Sequence, residues 1–263
     1  SYCAMLDLAV VTHAEDAGLT GTAVATAGEM ATRLGLPSAP AEAEALAVAR
    51  DIALAEMTGA RLHFRQVTTR AALDLVRAAR ARGLAISAGV TPAHFMLSDV
   101  AIGDFRTFTR LSPPLRSEAD RQAVLAALSD GTITVIASGH DPRGPEDKRL
   151  PFADAEPGMA GAETLLALTL GLVRDGVIDL ARAFALLAAN PAQLLGVKAG
   201  RLEPGAAADL AVIDPEKPWI VDSDRMAAAA GNTPFDKQGV QGRVLRLFKG
   251  GTEPYVYVYE NVG

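Results

Sequence analysis

The sequence predicts an α/β protein whose parallel strands form part of a (β/α)8 barrel, with a small β portion at the C-terminal end. Three observations carry that expectation. Short apolar runs rich in Val and Ile alternate with longer segments of helical period, the order expected of parallel βα units. The strand runs are apolar throughout, as strands covered on both faces must be. Polar groups with chemical capacity gather at or just past the C-terminal ends of these runs: His13, His63 and Gln66, Thr91 and His94, then Ser138, His140 and Asp141. In a barrel such ends converge on one pocket, whereas in an open doubly wound sheet they spread along an edge. No strand is followed by GxGxxG or by a GxxxxGKS/T loop, which removes the phosphate-loop folds.

The elements follow in order. "LDLAVVTHAE" (6–15) reads as a strand and "APAEAEALAVARDIALAEMTG" (39–59) as an amphipathic helix rich in Ala and Glu. "ARLHFRQVT" (60–68) is the next strand, and "TRAALDLVRAARARG" (69–83) a helix closed by Gly83. "LAISAGVTP" (84–92) is a third strand. After an irregular stretch, a helix over 117–131 opens on Ser117 with Asp120 three residues on, a variant of the capping box, and stops at Gly131. "TITVIASGH" (132–140) is the fourth strand; a long loop leads to a helix over 161–176. "DLARAFALLAANPAQLLGV" (179–197) reads as a helix that breaks at Asn190-Pro191 and resumes. From there "AGRLEPGAAADLAVIDPEKPWIVD" (199–222), "GRVLRLFKGG" and "EPYVYVYENV" alternate between turn and strand.

The predicted division is a partial barrel over 1–197 and a β appendage over 198–263. An appendage of roughly 60 residues is small for a core of its own, so it should pack on the barrel or pair with other strands. The abrupt opening "SYCAMLDLAVVTHAED" predicts that a first half of the barrel precedes it. Four strands alone leave unpaired edges and uncovered helix faces, so association with a second copy is also predicted.

Composition narrows the function. Of 263 residues, 49% are hydrophobic, enough for a generous core and against disorder. The net charge is −6 with no basic cluster, which argues against a nucleic-acid partner. A few Arg residues or backbone N–H groups can still converge on an anion. The single cysteine, Cys3, excludes a disulfide framework and a Cys-rich metal site. No run approaches the roughly 18 apolar residues of a membrane span, and no signal peptide is expected. A cytoplasmic protein with no membrane partner is the expectation.

The candidate residues admit more than one reading. His13, beside Glu15 and Asp16, is either a metal ligand steadied by a carboxylate or a cap for the next helix. Period-2 alternation puts His63 and Gln66 on opposite faces, so at most one looks inward. The same alternation lets only one of His140 and Asp141 point into the pocket if the strand runs that far. Glu146 to Arg149 read as a solvated charge run. "PGMAG" (157–161) either frees N–H groups for an anion or is a plain turn into the helix. Arg116 binds a substrate carboxylate or pairs with Glu118 or Asp120.

Taken together, "VVTHAED", "SPPLRSEADRQAVLAAL", "HDPRGPEDKRLPFADAEPGMAGAET" and the ending "LAANPAQLLGV…GRLEPGAAADLAVID…GNTPFDKQGVQGRVLRLFKGG" resemble the amidohydrolase superfamily, and within it the dihydroorotases. "SPPLR" and "GNTPF" favour that branch over relatives acting on other cyclic amides, such as hydantoins. The resemblance implies a TIM-like barrel of the metallo-dependent hydrolase type. Strands five to eight would be present here, with the C-terminal share of a small β-sandwich. It implies one or two zinc ions, with reversible closure of N-carbamoyl-L-aspartate to dihydroorotate in pyrimidine synthesis.

Residue by residue, the resemblance implies that His13 is the fifth-strand zinc ligand. Gln66 stands at the sixth-strand histidine, a degenerate metal-ligand position. The catalytic Asp of "TDHAPH" falls on Gly139, its alanine on Asp141 and its substrate-contacting histidine on Arg143. Asp141 is the candidate replacement acid/base, ~6–7 Å further along an extended strand. Ser112, Arg143, Pro157 and Gly158 are the implied substrate contacts. The remaining metal ligands are expected before Ser1. The losses also suit a second role, that of a non-catalytic homologue kept as a structural partner of aspartate transcarbamoylase.

Overall fold

The computed structural model describes residues 1–257. The strands are β1 (Ala9–Thr12), β2 (Ala25–Thr26), β3 (Ser38–Ala39), β4 (Arg61–Phe64), β5 (Ile86–Val90), β6 (Ile133–Ile136), β7 (Leu210–Ile220), β8 (Gly239–Lys249) and β9 (Thr252–Val256). β1, β4, β5 and β6 form one parallel sheet in that order, with Val10 opposite Leu62, Leu62 opposite Ile86 and Ala88 opposite Ile133. β2 and β3 are a separate parallel pair, and β7, β8 and β9 form an antiparallel sheet. Residues 258–262 of the expected tail strand lie outside the described residues.

Each strand of the parallel sheet is followed by a helix because the sequence changes period there. Helix Glu42–Thr58 buries Glu44, Ala47, Val48, Ile52 and Ala55, spaced three or four apart on one stripe. Helix Arg70–Ala81 buries Ala72, Leu73, Val76 and Ala79, and Thr69 caps it by accepting from the Ala72 N–H. Helix Glu118–Ser129 begins as expected. Ser117 Oγ accepts from the Asp120 N–H at 3.2 Å and donates to the Asp120 carboxylate at 2.7 Å. These stripes meet Leu62, Phe64, Ile86, Ala88, Ile133 and Ile136 in one core. Each fully buried Leu or Phe there contributes about 1.5–3 kcal/mol of hydrophobic stabilisation.

The predicted break at Asn190-Pro191 does not occur. Leu180–Phe184 runs through a wide π turn, Ala185–Ala189, into Asn190–Leu195. Pro191 then lies in the first turn of the last piece, where its missing N–H costs little. Asn190 Nδ2 donates to the Thr134 carbonyl at 2.8 Å and ties this segment to β6.

The C-terminal segment packs on the rest of the chain. Val221, Phe235 and Val240 share a buried cluster with Leu115, Ala167 and Leu168. Among the described residues no helix is long and apolar enough to cross a membrane.

Candidate active site

The ends of β1, β4, β5 and β6 open onto one cavity of about 620 Å³. His13 follows β1, Arg65 and Gln66 follow β4, Thr91 and His94 follow β5, and Gly139, His140 and Asp141 follow β6. Ser112, Arg143, Pro157 and Gly158 complete the wall from the loops. Apart from His63 and Arg116, the residues named above as candidate ligands, substrate contacts or acid/base border this single space. His63 is not among its lining. It is buried, with Nδ1 2.8 Å from Ser87 Oγ. Burial lowers the His63 pKa to about 4.

His13 is held at both ring nitrogens. Arg65 Nη2 lies 3.3 Å from Nδ1, and Glu15 Oε2 lies 3.1 Å from Nε2. A guanidinium can only donate, so Nδ1 is the acceptor and Nε2 carries the proton toward Glu15. Ser112 Oγ stands 3.4 Å from both His13 Nε2 and Glu15 Oε2. The His13 hydrogen bond chiefly lowers the Glu15 pKa, against the opposing effect of burial. Arg65 was not foreseen as part of this cluster. The signal available was its place beside Gln66 at the strand end.

His94 is fixed differently. Its Nε2 lies 3.0 Å from the Pro113 carbonyl and its Nδ1 2.8 Å from Thr91 Oγ1. The carbonyl only accepts, so Nε2 donates and Nδ1 accepts from the threonine hydroxyl. Burial lowers its pKa to about 4. The ring thus stays neutral near pH 7 and steadies the Ser112-Pro113 segment.

On the β6 side the expected strand alternation fails. The strand ends at Ile136, and Gly139 has φ +62, a left-handed conformation that turns the chain. His140 and Asp141 consequently both line the cavity, and the displacement expected along an extended strand does not apply. A Cβ at Gly139 would stand 3.0 Å from Thr91 Cγ2 and from Met159 Cε, so restoring a carboxylate there would crowd both neighbours.

Asp141 Oδ2 accepts from Arg143 Nη2 at 2.8 Å, and Arg143 Nε donates to the Pro157 carbonyl at 2.8 Å. Gly158 must be glycine, because a Cβ would overlap the Asp141 carbonyl. Its N–H donates to the Arg110 carbonyl at 3.0 Å. Proline has no N–H, so Pro157 and Gly158 themselves offer no free backbone donor.

Two residues outside the expected set organise these loops. Asn232, from "GNTPF", accepts from the Arg143 N–H and donates to the Gly158 carbonyl, both at 3.0 Å. Lys148, expected in a solvated charge run, is 5% exposed. Its ammonium donates to the carbonyls of Thr107, Arg110 and Glu156. Burial and the nearby Arg110 and Arg143 lower its pKa to about 8.

Arg116 makes neither expected contact. It pairs with Glu44 at 3.3 Å and donates to Thr68 and Thr26 hydroxyls. Glu118 and Asp120 are occupied by Arg121 and by Ser117.

These residues do not amount to a metal centre by themselves. Among the described residues no group of three His, Cys, Asp or Glu side chains could hold a metal ion. His13 has committed its acceptor nitrogen to a guanidinium, which also repels a cation. Gln66 is a poor ligand for zinc, and Gly139 has no side chain to offer. The donor set of this chain does not fit a divalent ion as placed, so no chemical step is routed through one.

Known proteins fit this arrangement. The chain is 41% identical over 244 residues to a dihydroorotase of Syntrophus aciditrophicus (strain SB), covering 93% of this chain and 57% of the relative. It is 44% identical over 246 residues to a dihydroorotase of Pelotomaculum thermopropionicum, covering 93% and 56%. The chain thus spans a little over half the length of these relatives. Its fold superposes on the L-hydantoinase (dihydropyrimidinase) of Arthrobacter aurescens with a TM-score of 0.86 at 24% identity, covering 98% of this chain and 60% of that one. The amidohydrolase family profile matches residues 1–253. The chain belongs to the amidohydrolase family.

Proposed function

We propose that this chain supplies the strand-end half of a dihydroorotase-like enzyme, which interconverts N-carbamoyl-L-aspartate and dihydroorotate in pyrimidine synthesis. The observation that carries the reading is the convergence of His13, Gln66, Asp141 and Arg143 on one cavity, in a chain about two-fifths identical to proteins named dihydroorotase. In this reading the four parallel strands are half of an eight-stranded barrel. Residues 198–263 are the C-terminal share of a β-sandwich, and a second copy completes the assembly. Zinc is the metal that the resemblance implies, but this chain alone provides no complete ligand set for it.

The substrates carry a carboxylate and a ureide. Arg143 engages Asp141 and Pro157 through two of its five N–H groups and keeps others for a substrate carboxylate. Competition by that carboxylate loosens Asp141 from Arg143. Asp141 is then the group proposed to take the proton from the ureide nitrogen as it attacks the side-chain carboxyl (–COOH), and to pass it to the hydroxyl that departs as the C–O bond breaks. Ring closure releases water, and the same carboxyl returns the proton when the ring opens. Ser112 and the Pro157-Gly158 turn shape the walls.

The test is dihydroorotate turnover by the full-length protein and by Asp141→Ala. The wild type should turn over, and the variant should lose roughly a hundredfold or more. An active wild type with an unimpaired Asp141→Ala would remove Asp141 from the proton path. A full-length protein that is inert, yet co-elutes with aspartate transcarbamoylase, would replace catalysis with a scaffolding role.

A further inference from the structure

Gln66 is 7% exposed, and its Oε1 is buried without a hydrogen-bond partner. Among the described residues Arg110 Nε and Arg243 Nε share that condition, but neither side chain lines the strand-end cavity, and Gln66 does. A buried acceptor with no donor destabilises the fold, and an apolar side chain of the same shape would avoid the cost. Packing therefore gives no reason for a glutamine here. A ligand does.

The surroundings indicate which ligand. Arg65, the adjacent residue, and Arg143 also line the cavity and bring positive charge to it. A carboxamide presents an acceptor and a donor side by side, and rotation about its last bond exchanges the two. Its complement is another –NH–CO– unit, such as one edge of a ureide. A ligand with carboxylates alone has no N–H to offer Oε1.

We infer that Gln66 is a specificity residue that pairs with the –NH–CO– edge of a carboxylated ureide. On binding, the carboxamide turns from its buried position toward the cavity, so that Oε1 accepts the ureide N–H and Nε2 donates to the ureide carbonyl, while Arg143 takes the carboxylate. The inference rests on the cavity being the ureide site proposed above. The position that the family resemblance assigns to a metal-ligating histidine becomes, in this chain, a group that reads the substrate directly.

The experiment is calorimetric titration of the full-length protein with dihydroorotate, N-carbamoyl-L-aspartate and succinate, for wild type, Gln66→Leu and Gln66→Met. Both variants should weaken the two ureides about tenfold, equivalent to ~1.4 kcal/mol, and leave succinate within about twofold. Their Tm should equal or exceed that of wild type, because the orphaned acceptor is gone. Unchanged ureide affinity in a folded variant overturns the role of Gln66, as does equal weakening of all three ligands. A wild type that binds succinate but no ureide, or binds none of the three, overturns the functional reading underneath, and that failure is visible before any variant is made.

Discussion

Arg116 meets Glu44 at 3.3 Å with side chains only 9% and 1% exposed, whereas Arg143 meets Asp141 at 2.8 Å with the carboxylate 59% exposed. Distance alone would rank the second pair higher. Its environment reverses the order. Glu44 also accepts from the backbone N–H and the hydroxyl of both Thr68 and Thr69. Arg116 donates to Thr68 and Thr26 as well. So many bonds offset the cost of removing two charges from water. The pair joins helix Glu42–Thr58, the turn after β4 and the segment before Ser117. Asp141 and Arg143 line the open cavity with the carboxylate largely exposed, so an incoming anion can exchange partners with them. One pair fixes the scaffold, and the other faces the ligand.

The largest way to break this contrast is Glu44→Gln. It leaves a buried guanidinium without its counter-charge, and stability by urea denaturation should fall by about 3–5 kcal/mol. A loss near zero would show that the pair is bystander structure.

The next effect is acid sensitivity. His94 lies in the field of both Arg116 and Glu44, and its folded pKa of about 4 is below the ordinary 6.5. Between those values the unfolded chain binds more protons, so stability rises with pH through that window. The contribution is complete above pH 6.5 and is lost as pH falls toward 4, by ~3 kcal/mol for this buried ring. His63 acts in the same direction. Melting curves between pH 7 and 4.5 should show a falling Tm, less steep in His94→Gln; a flat profile contradicts the burial argument.

The smallest expected effect is on the other pair. Asp141→Ala should change stability by no more than ~1 kcal/mol, as an exposed ion pair does. Its consequence belongs to turnover, and a large loss of stability would assign it a structural role instead.

Much of this architecture was legible beforehand because the apolar runs and helical stripes are long and their periods distinct. The parallel order of four βα units and the gathering of His13, Gln66, Gly139 and Asp141 at one end follow from that pattern. The misses share a physical cause, which is that the deciding partner is remote in sequence or the backbone leaves its regular period. Nothing local links Glu44 to Arg116, and nearer carboxylates looked adequate until Arg121 and Ser117 claimed them. Lys148 sits among exposed charges, yet three carbonyls from distant loops enclose its ammonium. Strand alternation misjudged His140 because β6 stops at Ile136 and Gly139 turns left-handed. The buried, unpartnered oxygen of Gln66 is a property of the assembled wall, and residue type alone carries no trace of it.

Asn232 joins a part of the chain far from the parallel sheet to the loop after β6 and to the Pro157-Gly158 turn through a single carboxamide. Those two stretches also meet directly, where Arg143 Nε donates to the Pro157 carbonyl. The C-terminal segment is thereby built into one wall of the cavity, although Asn232 is not itself among the residues that line it.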